Sequence, residues 1–127
     1  MPMSNPLPSM LVLLAASASA TGADSESRYL IWGAGKASCH RYNEARAAND
    51  FRHFKEYALG YLTAYNAYVP ETYSVTRDMN SEAIVAWLDD FCRTHQIEGF
   101  AGALQQFVEE MKATREQHAP TSGGRWP

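Results

Sequence analysis

The first 23 residues contain no Lys, Arg, Asp or Glu, and the first charged side chain is Asp24. The chain as a whole has no basic excess: 11 Lys and Arg stand against 14 Asp and Glu, for a net charge of −3. A nucleic-acid footprint needs a basic patch or stripe, so no nucleic-acid partner is expected. Long hydrophobic runs are missing too. The apolar run Met10–Ala16, MLVLLAA, falls far short of the roughly 20 residues that cross a bilayer, so no membrane span is expected. There is no G-x-S-x-G, no H-E-x-x-H, no phosphate-cradling glycine loop and no Walker-type motif. The Gly33-Ala34-Gly35 pair of glycines lacks the strand–turn–helix surroundings of a nucleotide site. His40, His53, His95 and His118 are spread along the chain without a partner pattern. The sequence therefore points to no catalytic residue, no metal ligand and no cofactor, and the protein is expected not to be an enzyme.

What is present begins with the uncharged leader. Its apolar run is followed by Ser17, Ala18, Ser19 and Ala20, so A-x-A occurs at Ala16–Ala18 and again at Ala18–Ala20. An apolar stretch followed by small residues at −3 and −1 reads as a secretory signal peptide over residues 1–23, although the basic start of such peptides is missing. The expected compartment is the bacterial periplasm or the exterior, and the mature chain is a little over 100 residues, one domain in size.

The only two cysteines, Cys39 and Cys92, divide the mature chain. An even count in an oxidising compartment favours a disulfide. The bridge would close a loop of about 53 residues, worth roughly 4 kcal/mol on the chain-entropy model. Free buried thiols and a zinc site with His40 and His95 are the alternatives. The zinc site suffers because neighbours such as Cys39 and His40 point about 100° apart on a helix.

Apolar spacing then divides residues 38–117 into four helices, after an extended lead-in over 24–37 whose Tyr29–Trp32 patch is expected to bury Trp32. Helix one, 39–48, follows Ser38 as N-cap, with Cys39, Tyr42 and Ala45 inward. Helix two, 51–68, with Asp50 as its cap, carries Phe51, Phe54, Ala58, Tyr61 and Tyr65 on one stripe. Gly60 inside it suggests close approach of a neighbouring helix. Pro70 ends this helix, and residues 70–80 read as a loop. Helix three, 81–95, capped by Asn80 or Ser81, places Ile84, Trp87, Leu88, Phe91 and Cys92 at i, i+3, i+4, i+7 and i+8. Helix four, 100–117, turns Phe100, Ala103, Leu104, Phe107, Val108 and Met111 inward, and residues 118–127 read as a flexible tail. The expected fold is all-α: a small, irregular four-helix bundle closed by one disulfide.

Two surface features bear on function. The series Tyr57, Tyr61, Tyr65 and Tyr68, with Trp87, is the candidate protein-binding face, against the plainer reading of a core stripe with hydroxyls at its rim. Asp89 and Asp90, being adjacent, should face different ways and read as solvated surface. Acidification adds a third element. Protonating 14 carboxylates and 4 histidines takes the chain from −3 to about +15, a self-repulsion that loosens compact states.

The pattern Ala37-Ser38-Cys39, then Gly60-Tyr61-Leu62-Thr63-Ala64-Tyr65-Asn66, then Trp87-Leu88-Asp89-Asp90-Phe91-Cys92, then Phe100, Ala103 and Phe107-Val108, resembles small exported helical proteins of bacteria. That group includes the HdeA/HdeB-like acid-stress proteins and the Tai-type immunity proteins. The resemblance spans about residues 37–111 and carries over Cys39 and Cys92. It implies a periplasmic, one-disulfide protein that binds client proteins through apolar surface in acid and forms a homodimer at neutral pH. Its alternative is an immunity or inhibitor module with one fixed toxin or enzyme partner. A structural envelope protein is the remaining reading.

Overall fold

In the computed structural model, residues 2–10, 12 and 22–121 are described. Four α-helices carry the fold, and no strand forms among the described residues: α1 (Cys39–Ala47), α2 (Arg52–Tyr68), α3 (Ser81–Thr94) and α4 (Phe100–Met111). Short 3-10 turns precede and follow them at Gly33–Lys36 and Lys112–Thr114. The all-α class and the Cys39–Cys92 disulfide are as the sequence predicts. The apolar run and A-x-A sites of the leader fall mostly outside the described residues. No described helix is long and apolar enough to cross a membrane.

Helix starts follow their caps. The Ser38 side chain accepts from the Arg41 N–H, and the Asn80 side chain from the Ala83 N–H, each satisfying one orphan donor of a first turn. The next free amides of α1 are satisfied from a distance. The Cys39 N–H donates to the Glu98 carbonyl at 2.7 Å and the His40 N–H to the Gln96 carbonyl at 2.9 Å. The Phe100 N–H returns the link to the Ala37 carbonyl at 2.8 Å, so the α3–α4 turn is sewn onto the start of α1.

The α1–α2 junction differs from expectation. Asn49 adopts a left-handed φ of 51°, the Asn49 N–H donates to Arg46 O and the Asp50 N–H to Ala45 O. This is a Schellman ending, in which Asp50 closes α1 instead of capping α2. Phe51 occupies the N-cap of α2 with no side-chain bond. At the other end of the chain, α4 stops at Met111, short of the predicted 117. The Arg115 guanidinium donates to the carbonyls of Glu71 and Lys112, and Glu116 pairs with Ser74 through backbone bonds in both directions. Long-range pairing thus ends a helix that periodicity alone would extend.

The core gathers Cys39, Tyr42, Phe54, Ala58, Leu62, Ile84, Leu88, Cys92, Phe100, Ala103, Leu104, Phe107 and Val108, the inward residues of all four stripes. Val75, in the 70–80 loop, is also fully buried, with its N–H donating to the Asn66 side chain. Phe100 is the centre of an aromatic cluster, 5.1 Å from Tyr42, 4.9 Å from Phe54 and 6.1 Å from Tyr57 between ring centroids. Gly60 does not mark a helix crossing: it is exposed, and a Cβ there would meet nothing within 4 Å.

Candidate functional site

Residues 39, 42, 43 and 46 share one face of α1, and 89 and 92 one face of α3, because each set repeats at three- and four-residue steps. The two faces meet at the disulfide, where the Cα atoms are 4.8 Å apart. Around it, Asn43 donates its side-chain amide to the Cys92 carbonyl at 2.9 Å. One turn along, Asp89 accepts three bonds: from the Tyr42 hydroxyl at 2.7 Å, and from Arg46 Nε and Nη2 at 2.8 Å each. The paired Arg46 contacts form a bidentate fork, the strong geometry for a carboxylate. The Arg46 guanidinium also lies 4.2 Å over the Phe51 ring. Lys55 and Glu82 line the same depression, with Asp89 and Arg46.

The electrostatics follow the contacts. Burial pushes the Asp89 carboxyl up, but the hydrogen bonds from Arg46 and Tyr42 and the Arg46 charge outweigh it and hold the pKa below the usual 3.8. The Tyr42 hydroxyl is pushed far up, first by burial and then by its bond to Asp89. The expectation of two solvated aspartates is therefore corrected for Asp89, which is half-buried and clasps α1 to α3. Asp90 is exposed and pairs with Arg93 at 3.0 Å. Asp–Tyr–Arg spacing across 43 and 47 residues leaves no local sequence signal, so only the fold reveals the clasp.

The clasp supplies a direct test. Asp89→Asn keeps the shape but removes the charge that both donors use. Hydrogen bonds to charged groups are worth about 1.5–3 kcal/mol, so for this half-exposed site we expect a loss of about 2 kcal/mol at pH 7. Because the folded pKa is depressed, the wild-type advantage is full above pH 3.8 and shrinks as pH falls below it. Urea unfolding of both proteins from pH 7 to 2.5 checks this: parallel curves at every pH would remove Asp89 from the account.

The tyrosine series is divided by its surroundings. Tyr57, Tyr61 and Tyr65 pack against the core, whereas Tyr68 is 86% exposed. The Gly33–Lys36 turn of the lead-in packs on α2 against the first of them, Tyr57. The Tyr29 hydroxyl reaches Gln105 of α4 at 3.4 Å, and Ile31 and Tyr57 crowd the same buried Gly35. Tyr61 is pushed up to about 12, first by burial and then by the neighbouring Tyr29, Tyr57, Tyr65 and Glu109. Trp32, expected to be buried, is 72% exposed, its ring capped by Lys36 at 5.5 Å. In an extended segment alternate residues face opposite ways, and here Ile31 takes the inward place.

Trp87 looks elsewhere. Its ring stacks on Phe91 at 5.2 Å, meets Phe107 edge-on, and its indole N–H donates to Glu110 at 3.0 Å. Phe91 in turn stacks on His95 at 4.0 Å, and His95 Nδ1 lies 2.8 Å from the Phe91 carbonyl at the end of α3. This fits the favourable placing of a histidine at a helix C-terminus.

No zinc site forms from Cys39 and Cys92, because the disulfide consumes both thiols. Among the described residues no group of three His, Cys, Asp or Glu is placed to hold a metal. A depression of about 360 Å³ is lined by His53, Glu44 and Asp50 among others. The His53 ring lies against Phe54 at 4.4 Å. A larger hollow of about 650 Å³, lined by Thr63, Asn66, Thr72, Tyr73, Ser74 and Arg77 with Ala67, offers hydroxyls, an amide and one cation. The chain matches no protein-family model, no curated protein and no solved structure.

Proposed function

We propose that this chain is a non-enzymatic protein-binding protein of the bacterial periplasm, related in role to the HdeA/HdeB-like acid-stress proteins, that protects client proteins in acid. One observation carries the reading: the α1–α3 joint combines a bond that acid leaves intact with one that acid undoes. The Cys39–Cys92 disulfide persists at low pH, while the Asp89 clasp is lost as its carboxylate takes up a proton. Over the same pH range the chain acquires a charge of about +15 from its 11 basic side chains and 4 histidines. The helices then repel one another while the covalent staple keeps the two halves of the domain together. Such a chain exposes apolar surface without dispersing and can cover apolar segments of other unfolding proteins.

The test is a titration of the oxidised mature protein from pH 7 to 2, following mass by light scattering and apolar exposure by a hydrophobic dye. A client-aggregation assay runs at each pH. We expect dye binding to rise several-fold below about pH 4, together with suppression of client aggregation. Compactness down to pH 2 with no protection would end the acid-protective reading. One observation favours the inhibitor alternative: Leu30 and Trp32 are already exposed in the folded chain, 72% each. That reading instead expects a single tight partner at pH 7.

A further inference from the structure

The hollow of about 650 Å³ between α2 and the 70–80 loop shares no residue with the α1–α3 joint. Its size falls within the roughly 300–1,000 Å³ of small-molecule sites. Thr63 and Asn66 stand three residues apart on one face of α2 and form one wall. The facing wall is a loop without helix or named strand, yet it is pinned along its length. Arg115 Nε donates to the Glu71 carbonyl at 3.1 Å, and the Tyr73 and Ser74 N–H groups donate to the Glu116 carbonyl at 2.8 and 3.1 Å. The Val75 N–H donates to Asn66 Oδ1 at 2.9 Å and ties the loop to α2. Glu71 and Arg77 hold left-handed φ angles of 54° and 56°. A side chain with a Cβ disfavours that conformation, and Arg77 is one of the residues that line the hollow.

The polar groups around the hollow fall into two sets. Thr63 Oγ1 already donates to the Leu59 carbonyl at 2.8 Å, and Thr72 Oγ1 to the Pro70 carbonyl at 3.1 Å. With their protons committed, these two hydroxyls offer an occupant lone pairs only. The second set donates. An N–H can face only an acceptor, so the Val75 bond fixes which end of the Asn66 amide is oxygen and leaves Nδ2 as the other end. Among the described residues Nδ2 has no hydrogen-bond partner and is not a buried orphan, so it is open to solvent. The Arg77 guanidinium makes no ion pair among the described residues, and no Asp or Glu lines the hollow. We propose that this hollow binds a small carboxylate on a polyhydroxylated carbon frame, a sugar acid. The carboxylate meets Arg77 and Asn66 Nδ2, and ligand hydroxyls donate to Thr63 and Thr72. A planar guanidinium takes a carboxylate in a two-bond fork. A neutral sugar leaves the cation unmatched, a plain short-chain acid leaves both threonine oxygens unmatched, and an amine meets a like charge. This site goes beyond the protein-binding reading, and neither depends on the other.

The experiment is an NMR titration of the oxidised mature chain at pH 7 with glucuronate as the probe, following backbone amides. Saturable shifts are expected at residues 63–67 and 72–77. The Kd should be on the order of 1 mM, as suits a ligand of about a dozen heavy atoms. Glucose, which lacks the carboxylate, and acetate, which lacks the hydroxyls, should each bind roughly tenfold more weakly or worse. Arg77→Gly should weaken glucuronate binding by roughly tenfold or more, because the charged donor is gone. Its urea midpoint should be no lower than that of wild type, since glycine adopts the left-handed backbone without strain. Asn66→Asp keeps an acceptor for the Val75 N–H and sets an anion where the free donor was, so it should abolish binding. Arg77→Gly decides the matter if Asn66→Asp lowers the urea midpoint, and Arg77→Lys, which keeps the charge without the fork, should fall between Arg77→Gly and wild type. Shifts that fail to saturate, or that glucose or acetate produces with equal affinity, overturn the site. Undiminished glucuronate binding by Arg77→Gly overturns it as well.

Discussion

Removing the disulfide, by the double substitution Cys39→Ala/Cys92→Ala, is expected to lower stability at pH 7 by about 4 kcal/mol. The two half-cystines are 53 residues apart, and closing a loop of that size restricts the unfolded chain by about this much on the chain-entropy model. For a domain of roughly 100 residues each kcal/mol moves the melting temperature by about 4–8 °C, so a fall of the order of 20 °C should be seen. The unfolded ensemble also expands when the link is cut, so the denaturant slope should steepen alongside the lower midpoint. Both residues are fully buried where α1 meets α3, so their loss also removes packing between these two helices. The effect should be larger in acid. At neutral pH the Asp89 clasp still ties Tyr42 and Arg46 to α3, whereas once the pH falls through the depressed pKa of Asp89 the staple is what remains at that joint. Urea unfolding of both proteins from pH 7 down to pH 2 separates the contributions. Equal midpoints at both ends of that range would mean that the denatured chain stays compact without the bridge, and would remove the staple from the proposed acid response.

Much of this molecule was legible in its residues, and the parts that were not share a cause. Helical stripes locate their own inward faces, so Tyr42, Phe54, Ile84, Leu88, Phe100, Leu104 and Phe107 emerge as core from spacing alone. Caps such as Ser38 and Asn80 act within three residues and are equally visible. Features that depend on two distant segments are not. Asp89 looks like half of a solvated pair until α1 brings Tyr42 and Arg46 beside it. The end of α4 depends on Ser74 and Glu71, about 40 residues upstream, and Val75 is buried because Asn66 accepts its amide and the loop folds inward. Trp32 was misplaced for a related reason: an apolar patch in an extended segment offers two faces, and composition does not say which one the helices cover. The tyrosine series poses the same difficulty, since helical spacing groups Tyr57, Tyr61, Tyr65 and Tyr68 but does not reveal that the lead-in packs against Tyr57 or that Tyr68 is left exposed.

Phe100 is where these local and long-range effects converge, and Phe100→Ala is expected to cost about 4 kcal/mol. The side chain is fully buried, and its ring neighbours α1 through Tyr42 and α2 through Phe54 and Tyr57. Truncation removes a large apolar group and leaves a cavity walled by aromatic rings, which are too rigid to collapse into it. A loss of that size is a large part of the 5–15 kcal/mol that stabilises a typical domain. The expected consequence reaches past stability. Tyr57 rests on Phe100 from one side and on Gly35 of the lead-in from the other, so the lead-in should loosen along with the core. Phe100→Leu, which retains most of the volume, should cost less than half as much and leave the lead-in in place. Two readouts test this together: the urea midpoint, and quenching of tryptophan emission by acrylamide, to which Trp32 is the most accessible described indole. A loss under about 1 kcal/mol for Phe100→Ala would show that Tyr42, Phe54 and Tyr57 repack around the gap. The Phe100 N–H bond to the Ala37 carbonyl would then be left as the main tie between α4 and the lead-in, and the aromatic cluster would lose its place as the element that couples core to lead-in.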